Sequence, residues 1–169
     1  MELDEALTAL VMRSGDRLLA VAYQLTHDRA DAQDVVQEAI LRVYSSIRRR
    51  GLAPDDLYPY LRRAVVNEYL RGRRRRSSSE VITDRVPDNP GVPDDDRLLD
   101  RIAVWAALAT LPERQRVVLV LRHYEQLTDR EIAGVLGCRE PTVRSLARRG
   151  LIALRGRQAE SQPLKEDRT

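Results

Sequence analysis

The sequence predicts an all-α protein of two small helical domains joined by a flexible acidic linker. Three observations carry that prediction. Apolar residues recur at three- and four-residue spacing on both sides of the chain's middle, the period of a helix with one buried face. No stretch alternates with period two for long enough to argue a strand. Between the two apolar regions lies a segment rich in Ser, Pro and Asp, which opposes both helix and packed core. With 169 residues and 43% hydrophobic content, the chain can build one ordinary domain or two small ones.

In the first region Leu18, Val21, Ala22 and Leu25 make one apolar stripe. Val36, Ile40, Val43 and Ile47 make a second, with Val35 and Ala39 alongside. Gly51 and Pro54 then interrupt the chain. Leu57, Leu61, Ala64 and Val65 make the third stripe, and its spacing from Ala64 places Tyr60 towards the core. These helices define a domain over residues 1–76. The linker, residues 77–98, opens on Ser77 to Ser79 and runs through Pro87, Pro90, Pro93 and Asp94 to Asp96. Fully extended, such a segment reaches roughly 70 Å at ~3.3 Å per residue.

The second domain covers residues 99–157. Leu98, Ile102, Trp105 and Leu108 share one helical face at its start. Pro112 opens a helix carrying the apolar run Val117 to Leu121, a favourable place for proline. Residues 158–169 are polar without apolar period and read as a disordered tail.

Several function classes drop out on composition. No apolar run approaches the ~18 residues of a membrane helix. The acidic start (Glu2, Asp4, Glu5) is unlike a secretory signal, so the expected compartment is the cytoplasm. A single cysteine, Cys138, forbids an intramolecular disulfide and any multi-cysteine metal site. His27 and His123 stand far apart and form no zinc or triad constellation, so neither a catalytic site, a metal nor a cofactor is expected.

The formal charge of +3 conceals a segregated pattern. Residues 1–41 carry three Arg against eight acids, and residues 42–76 carry 11 Arg against three acids. Residues 77–98 are again acidic, with two Arg and six acids, and residues 99–155 are basic, with ten Arg and six acids. Lys165 is the only lysine. Arginine suits bidentate contact with phosphate and guanine, although genomic base composition also enriches it.

The sharpest local motif spans Leu127 to Arg155. Thr128 and Glu131 stand at capping-box spacing before Ile132, Ala133, Val135 and Leu136. Gly137 can close that short helix in the left-handed conformation. Cys138 to Glu140 make a turn in which the cysteine reads as a small packing residue. Pro141 and Thr142 open a second helix, with Val143, Leu146, Leu151 and Leu154 for its buried side. Short helix, tight turn and second helix form a helix-turn-helix pattern. No acid occurs from Thr142 to Arg155. Thr142, Arg144, Ser145 and Arg148 are candidates for groove contact, and Arg149 for phosphate.

Upstream, Arg71 and Arg73 to Arg76 end the third helix, with Arg62 and Arg63 earlier on it. Such a run suits RNA, DNA, an acidic membrane surface or an import signal, and composition alone does not choose. Tyr44, Tyr58, Tyr60 and Tyr69 lie nearby, and Tyr58 is the candidate for stacking on an unpaired base. On the second helix Asp28, Asp31, Asp34 and Glu38 recur at three and four, joined by Gln33 and Gln37. They serve either helix solubility or docking of a basic protein partner.

Three of these segments together resemble a known family. Asp31 to Ala39, followed by Leu41 to Tyr44, resembles the core-polymerase-binding signature of bacterial sigma factors. Tyr60 to Asn67, continuing into the arginine run, resembles their −10-element helix. Leu111 to Arg116, Val118 to Tyr124 and the helix-turn-helix resemble their −35-reading domain. The order and the linker match as well, over about residues 10–155, and the short length resembles the extracytoplasmic-function (ECF) branch. The chain departs from the usual pattern at Pro141, where glycine is common, at Leu146, and at Tyr60, where many members have tryptophan.

The resemblance implies a sigma factor with RNA polymerase core (clamp coiled coil and flap) and promoter DNA as partners. It implies a monomer within the holoenzyme, open to an anti-sigma factor. Core docking maps onto Asp31, Asp34, Gln37 and Glu38. Recognition and melting of the −10 element map onto Arg62, Arg63, Asn67, Arg71, Arg73, Arg74, Arg75 and Arg76, with residues 46–58 as the base-capturing loop and the Tyr58 reading beside them. Recognition of the −35 element maps onto Thr142, Arg144, Ser145, Arg148 and Arg149. The alternative is an autonomous helix-turn-helix regulator that binds duplex DNA without polymerase, which leaves the acidic helix and the tyrosine–arginine segment unexplained.

Overall fold

The computed structural model describes residues 3–51, 56–78 and 103–161. All regular structure among them is helical, in two compact units each taken by itself below.

The first unit holds three helices: α1 (Leu3–Thr26), α2 (Arg29–Arg50) and α3 (Tyr58–Ser78), each packed on the other two. Leu18, Val21, Ala22 and Leu25 of α1 are all fully buried, as their spacing predicts. Leu61, Val65, Val66 and Tyr69 of α3 meet them in the core. Each fully buried aliphatic side chain is worth roughly 1.5–3 kcal/mol. On α2 the buried line is Ala32, Ala39 and Val43, while Val36, Ile40 and Ile47 are half-buried. Small side chains at the centre of that face let the helices approach closely, and the larger ones seal its margins.

The joint between α1 and α2 is short. His27 takes a left-handed φ of 56° and its N–H bonds the Tyr23 carbonyl. Asp28 then caps α2, its Oδ1 accepting from the Asp31 N–H at 2.9 Å. Gly51, at φ 68°, closes α2 with its N–H on the Ile47 carbonyl. Pro54 lies outside the described residues, as do 79–98 of the expected linker. The helix α3 itself runs through Ser78, two residues past the expected end of the first domain.

The second unit begins with α4, helical at 103–108 among the described residues, where Leu108 is buried and Trp105 half-buried. Leu98 and Ile102 of the predicted stripe lie outside the described residues. Pro112 precedes α5 (Glu113–His123) as its cap residue. Val117 to Leu121 are buried without a break, so α5 is the centre of this unit rather than a surface helix. After α5 come α6 (Asp129–Leu136) and α7 (Glu140–Ser161), with α7 packed against α5.

Helix α7 differs from its sequence pattern in two respects. The buried spine of α7 is Val143, Ala147 and Gly150, whereas Leu146, Leu151 and Leu154 are only half-buried. Close approach to α5 explains the small residues: a Cβ on Gly150 would stand 2.9 Å from Leu119 Cδ1. Also, α7 continues through Ser161, so the predicted tail from residue 158 starts inside a helix. Residues 162–169 lie outside the described set.

Candidate nucleic-acid interface

The helix-turn-helix forms as its local chemistry dictates. Thr128 and Glu131 make a reciprocal capping box: the Thr128 N–H donates to Glu131 Oε2 at 2.7 Å, and the Glu131 N–H donates to Thr128 Oγ1 at 3.2 Å. Arg122 of α5 pairs with Asp129 and ties the start of α6 to the unit's centre. Gly137 ends α6 at φ 63°, and the Cys138 N–H reaches the Ala133 carbonyl at 3.1 Å. The left-handed residue of the turn is thus Gly137. Pro141 sits in the first turn of α7, where its missing N–H has no helical partner to lose.

On α7 Thr142, Arg144, Arg148 and Arg149 are exposed and Ser145 is half-buried. Arg144, Arg148 and Arg155 share one face at helical spacing, and Thr142, Ser145 and Arg149 share the adjoining one. Both lie away from the Val143–Ala147–Gly150 spine. Glu140 stands 3.8 Å from the Arg144 guanidinium and moderates its charge.

Arg116 belongs elsewhere. It is only 3% exposed, and its guanidinium spends three hydrogen bonds on backbone carbonyls: Leu108 at 2.8 Å, Ala109 at 2.7 Å and Leu111 at 2.9 Å. It holds the end of α4 against α5, satisfying acceptors that the helix terminus leaves open.

In the first unit, the exposed face of α3 presents Arg63, Asn67, Arg71 and Arg74 at spacings of four, four and three. Tyr60 heads the same face at 55% exposure. The expectation that Tyr60 points to the core is therefore overturned. Its neighbours in register are the solvent-facing residues, while Leu61, Val65 and Tyr69 define the buried side. Tyr58, favoured by the sequence for stacking, is half-buried, with the Arg17 guanidinium 4.9 Å and the Arg62 guanidinium 5.6 Å from its ring centroid. Arg62 and Arg73 are likewise half-buried, and Arg75 is exposed. Arg76 lies on α3, with its side chain outside the described set.

The acidic residues of α2 separate by role. Asp28 is occupied as the helix cap. Asp31 is half-buried and lines a shallow hollow with Asp34, Glu68, Tyr69 and Arg73. Asp34, Gln37 and Glu38 are exposed, and Leu41 continues that face at 59% exposure. An exposed leucine beside acids and amides suits a protein partner better than a polyanion.

The sequence reading missed Glu68. This α3 carboxylate is only 9% exposed and pairs with Arg42 of α2 and with Arg71 at 3.0 Å. Arg42 also stands 3.3 Å from Glu38. An acid amid an arginine-rich helix, three residues before Arg71, was the available signal. Among the described residues no group of His, Cys, Asp and Glu is arranged to hold a metal ion. No described helix is long and apolar enough to cross a membrane.

Comparison with known proteins follows the same division. The model for sigma-70 region 2 matches residues 10–79, and that for sigma-70 region 4 matches residues 101–154. The chain is 38% identical over 150 residues to the RNA polymerase sigma-E factor of Streptomyces avermitilis, covering 88% of this chain and 82% of that protein. It is 34% identical over 153 residues to the ECF RNA polymerase sigma factor SigE of Mycolicibacterium smegmatis, covering 86% of this chain and 59% of the relative. Its fold is similar to the sigma factor RpoE of Bartonella quintana, solved in complex with the anti-sigma factor NepR. The TM-score is 0.71 at 19% identity, over 92% of this chain and 98% of the other.

Proposed function

The chain belongs to the ECF branch of the sigma-70 family and directs RNA polymerase to promoters, and we propose that two separate helical surfaces divide this work between them. Asp34, Gln37, Glu38 and Leu41 of α2 dock on the polymerase core, with Asp31 supporting them from the hollow beside. Tyr60, Arg63, Asn67, Arg71 and Arg74 of α3 bind the −10 element and hold its melted strand, with Arg62, Arg73, Arg75 and Arg76 adding positive charge around them. Tyr58, under the Arg17 and Arg62 guanidiniums, supports that surface at its upstream end. In the second unit Arg144, Arg148, Thr142 and Ser145 read the −35 duplex, while Arg149 grips phosphate. The first domain then runs to the end of α3 at Ser78 and the second to the end of α7 at Ser161, one for each promoter element.

The observation that carries this reading is the exposed α3 face, where an aromatic ring, an amide and three guanidiniums follow one another at helical spacing. Rings stack on unpaired bases, guanidiniums bind phosphates, and neither needs a duplex to be present. The chain supplies no bond-making step of its own. Polymerase performs the chemistry, and this protein offsets the cost of unstacking by capturing the strand. It works where polymerase works, in the cytoplasm. An anti-sigma partner would hold it inactive by covering the α2 face or the arginine faces. An autonomous regulator would leave the α2 docking face without use.

Run-off transcription from a promoter library tests the reading. Specific initiation is expected only when core polymerase and this chain are both present. Tight binding to a palindromic duplex without core, or unchanged start sites when the chain is added, would overturn it.

A further inference from the structure

We propose that Glu68 is a positioning residue that couples docking on polymerase to capture of the −10 strand. The inference rests on the two surfaces assigned above. Four charges form a continuous chain between those surfaces: Glu38, Arg42, Glu68 and Arg71. Shared atoms link them. Arg42 Nε stands 3.3 Å from Glu38 Oε1 and also contacts Glu68 Oε1. That same Glu68 oxygen accepts from the Arg71 guanidinium at 3.0 Å.

Burial sets the direction of the effect. Glu68 is 9% exposed, so its carboxylate depends on Arg42 and Arg71 for what water would otherwise supply. Glu38 is exposed, so a cationic group on polymerase can take it at little cost. In the free chain the Arg42 guanidinium is divided between two carboxylates, paired with each. When docking removes Glu38, Arg42 turns fully to Glu68. Its positive charge then opposes the second guanidinium on the same oxygen, and Arg71 is released towards phosphate. Binding of a phosphate by Arg71 works backwards along the same chain and frees Glu38 for its partner. The coupling is therefore positive and reciprocal.

The test uses the full chain, alone and bound to core polymerase. The probe is a short fluorescent single strand carrying the −10 element of a promoter from which the holoenzyme initiates. Glu68→Gln keeps the shape and removes the charge that holds Arg71. It is expected to tighten strand binding by the free chain about fivefold, the low end of ordinary coupling, and to leave the holoenzyme nearly unchanged. Arg42→Met acts in the opposite sense, leaving Glu68 to Arg71 alone and weakening strand binding by the free chain. A variant that merely fails to fold cannot tighten binding, so the opposite signs separate coupling from damage, and thermal melts verify the fold of both.

Equal effects of either variant on free and polymerase-bound protein overturn the coupling while leaving the two surfaces in place. Failure of the wild-type holoenzyme to bind the strand at all overturns the surface assignment instead.

Discussion

Gly150 and Gly134 are both helical glycines, and their surroundings predict opposite effects of the same substitution. On Gly150 a methyl group would come within 2.9 Å of Leu119 Cδ1 and 3.3 Å of its Cγ. Leu119 is itself buried in α5, so its side chain must turn within a packed core to admit the methyl group. Overpacking of this kind costs about 1–3 kcal/mol, more than the gain of up to ~1 kcal/mol in helix propensity. Gly150→Ala is therefore expected to lower the unfolding midpoint. A Cβ on Gly134 meets nothing within 4 Å, so Gly134→Ala should raise it. Urea titrations of the two variants check the pair, and the same sign for both would refute the packing argument. Tyr60 carries the second residue-scale prediction. Loss of a stacked ring costs ~1–3 kcal/mol per base, so Tyr60→Ala should weaken −10 strand binding by roughly tenfold while Tyr60→Phe retains it. Normal anisotropy with Tyr60→Ala would return the stacking role to Tyr58.

At the scale of elements, legibility depended on how far apart the interacting groups lie in sequence. The capping box of α6 is contained in four residues, Thr128 to Glu131, and its hydrogen bonds are where the spacing puts them. The clamp on α4 was not legible, because Arg116 reaches back eight residues to the Leu108 carbonyl and looks in sequence like one more surface arginine. Tyr60 was misplaced for a related reason. Ala64 lies half-buried at the margin of the α3 face, so spacing from it does not say to which side Tyr60 turns. Similarly, large apolar residues marked the buried faces of α2 and α7 correctly, yet alanines and Gly150 occupy their centres. Binary patterning registers hydrophobicity and does not register how closely two backbones approach. These elements predict distinct losses. Thr128→Ala should cost ~1 kcal/mol, the usual value of a cap. Arg116→Met takes a donor from three carbonyls, of which that of Leu108 keeps the Leu111 N–H, and should cost about 2–4 kcal/mol, given 1–3 for a buried polar group left unsatisfied. If denaturation ranks the two variants the other way, the clamp is less important than its geometry indicates.

At the scale of the whole molecule, a net charge of +3 says little, because acidic and basic residues are segregated into alternating segments of the sequence. The exposed acids of α2 and the exposed arginines of α3 stand on neighbouring helices of one unit, so the proposed assignment has protein and DNA met by different faces of the same small core. This arrangement makes the two kinds of binding separable by salt. Each phosphate contact contributes ~0.7 to the salt slope on single strands and ~0.9 on duplex DNA through counterion release. Replacing Arg63, Arg71 and Arg74 with Gln should flatten the slope of holoenzyme binding to a −10 strand by up to ~2, if all three touch phosphate. Replacing Arg149, the phosphate contact, should do the same for −35 duplex binding, by ~0.9. Asp34→Ala with Gln37→Ala should instead abolish run-off transcription by removing docking, and leave the slope of duplex binding by the free chain as it was. A change in that slope on loss of Asp34 would mean that the acids shape the DNA field directly, and that one face serves both partners.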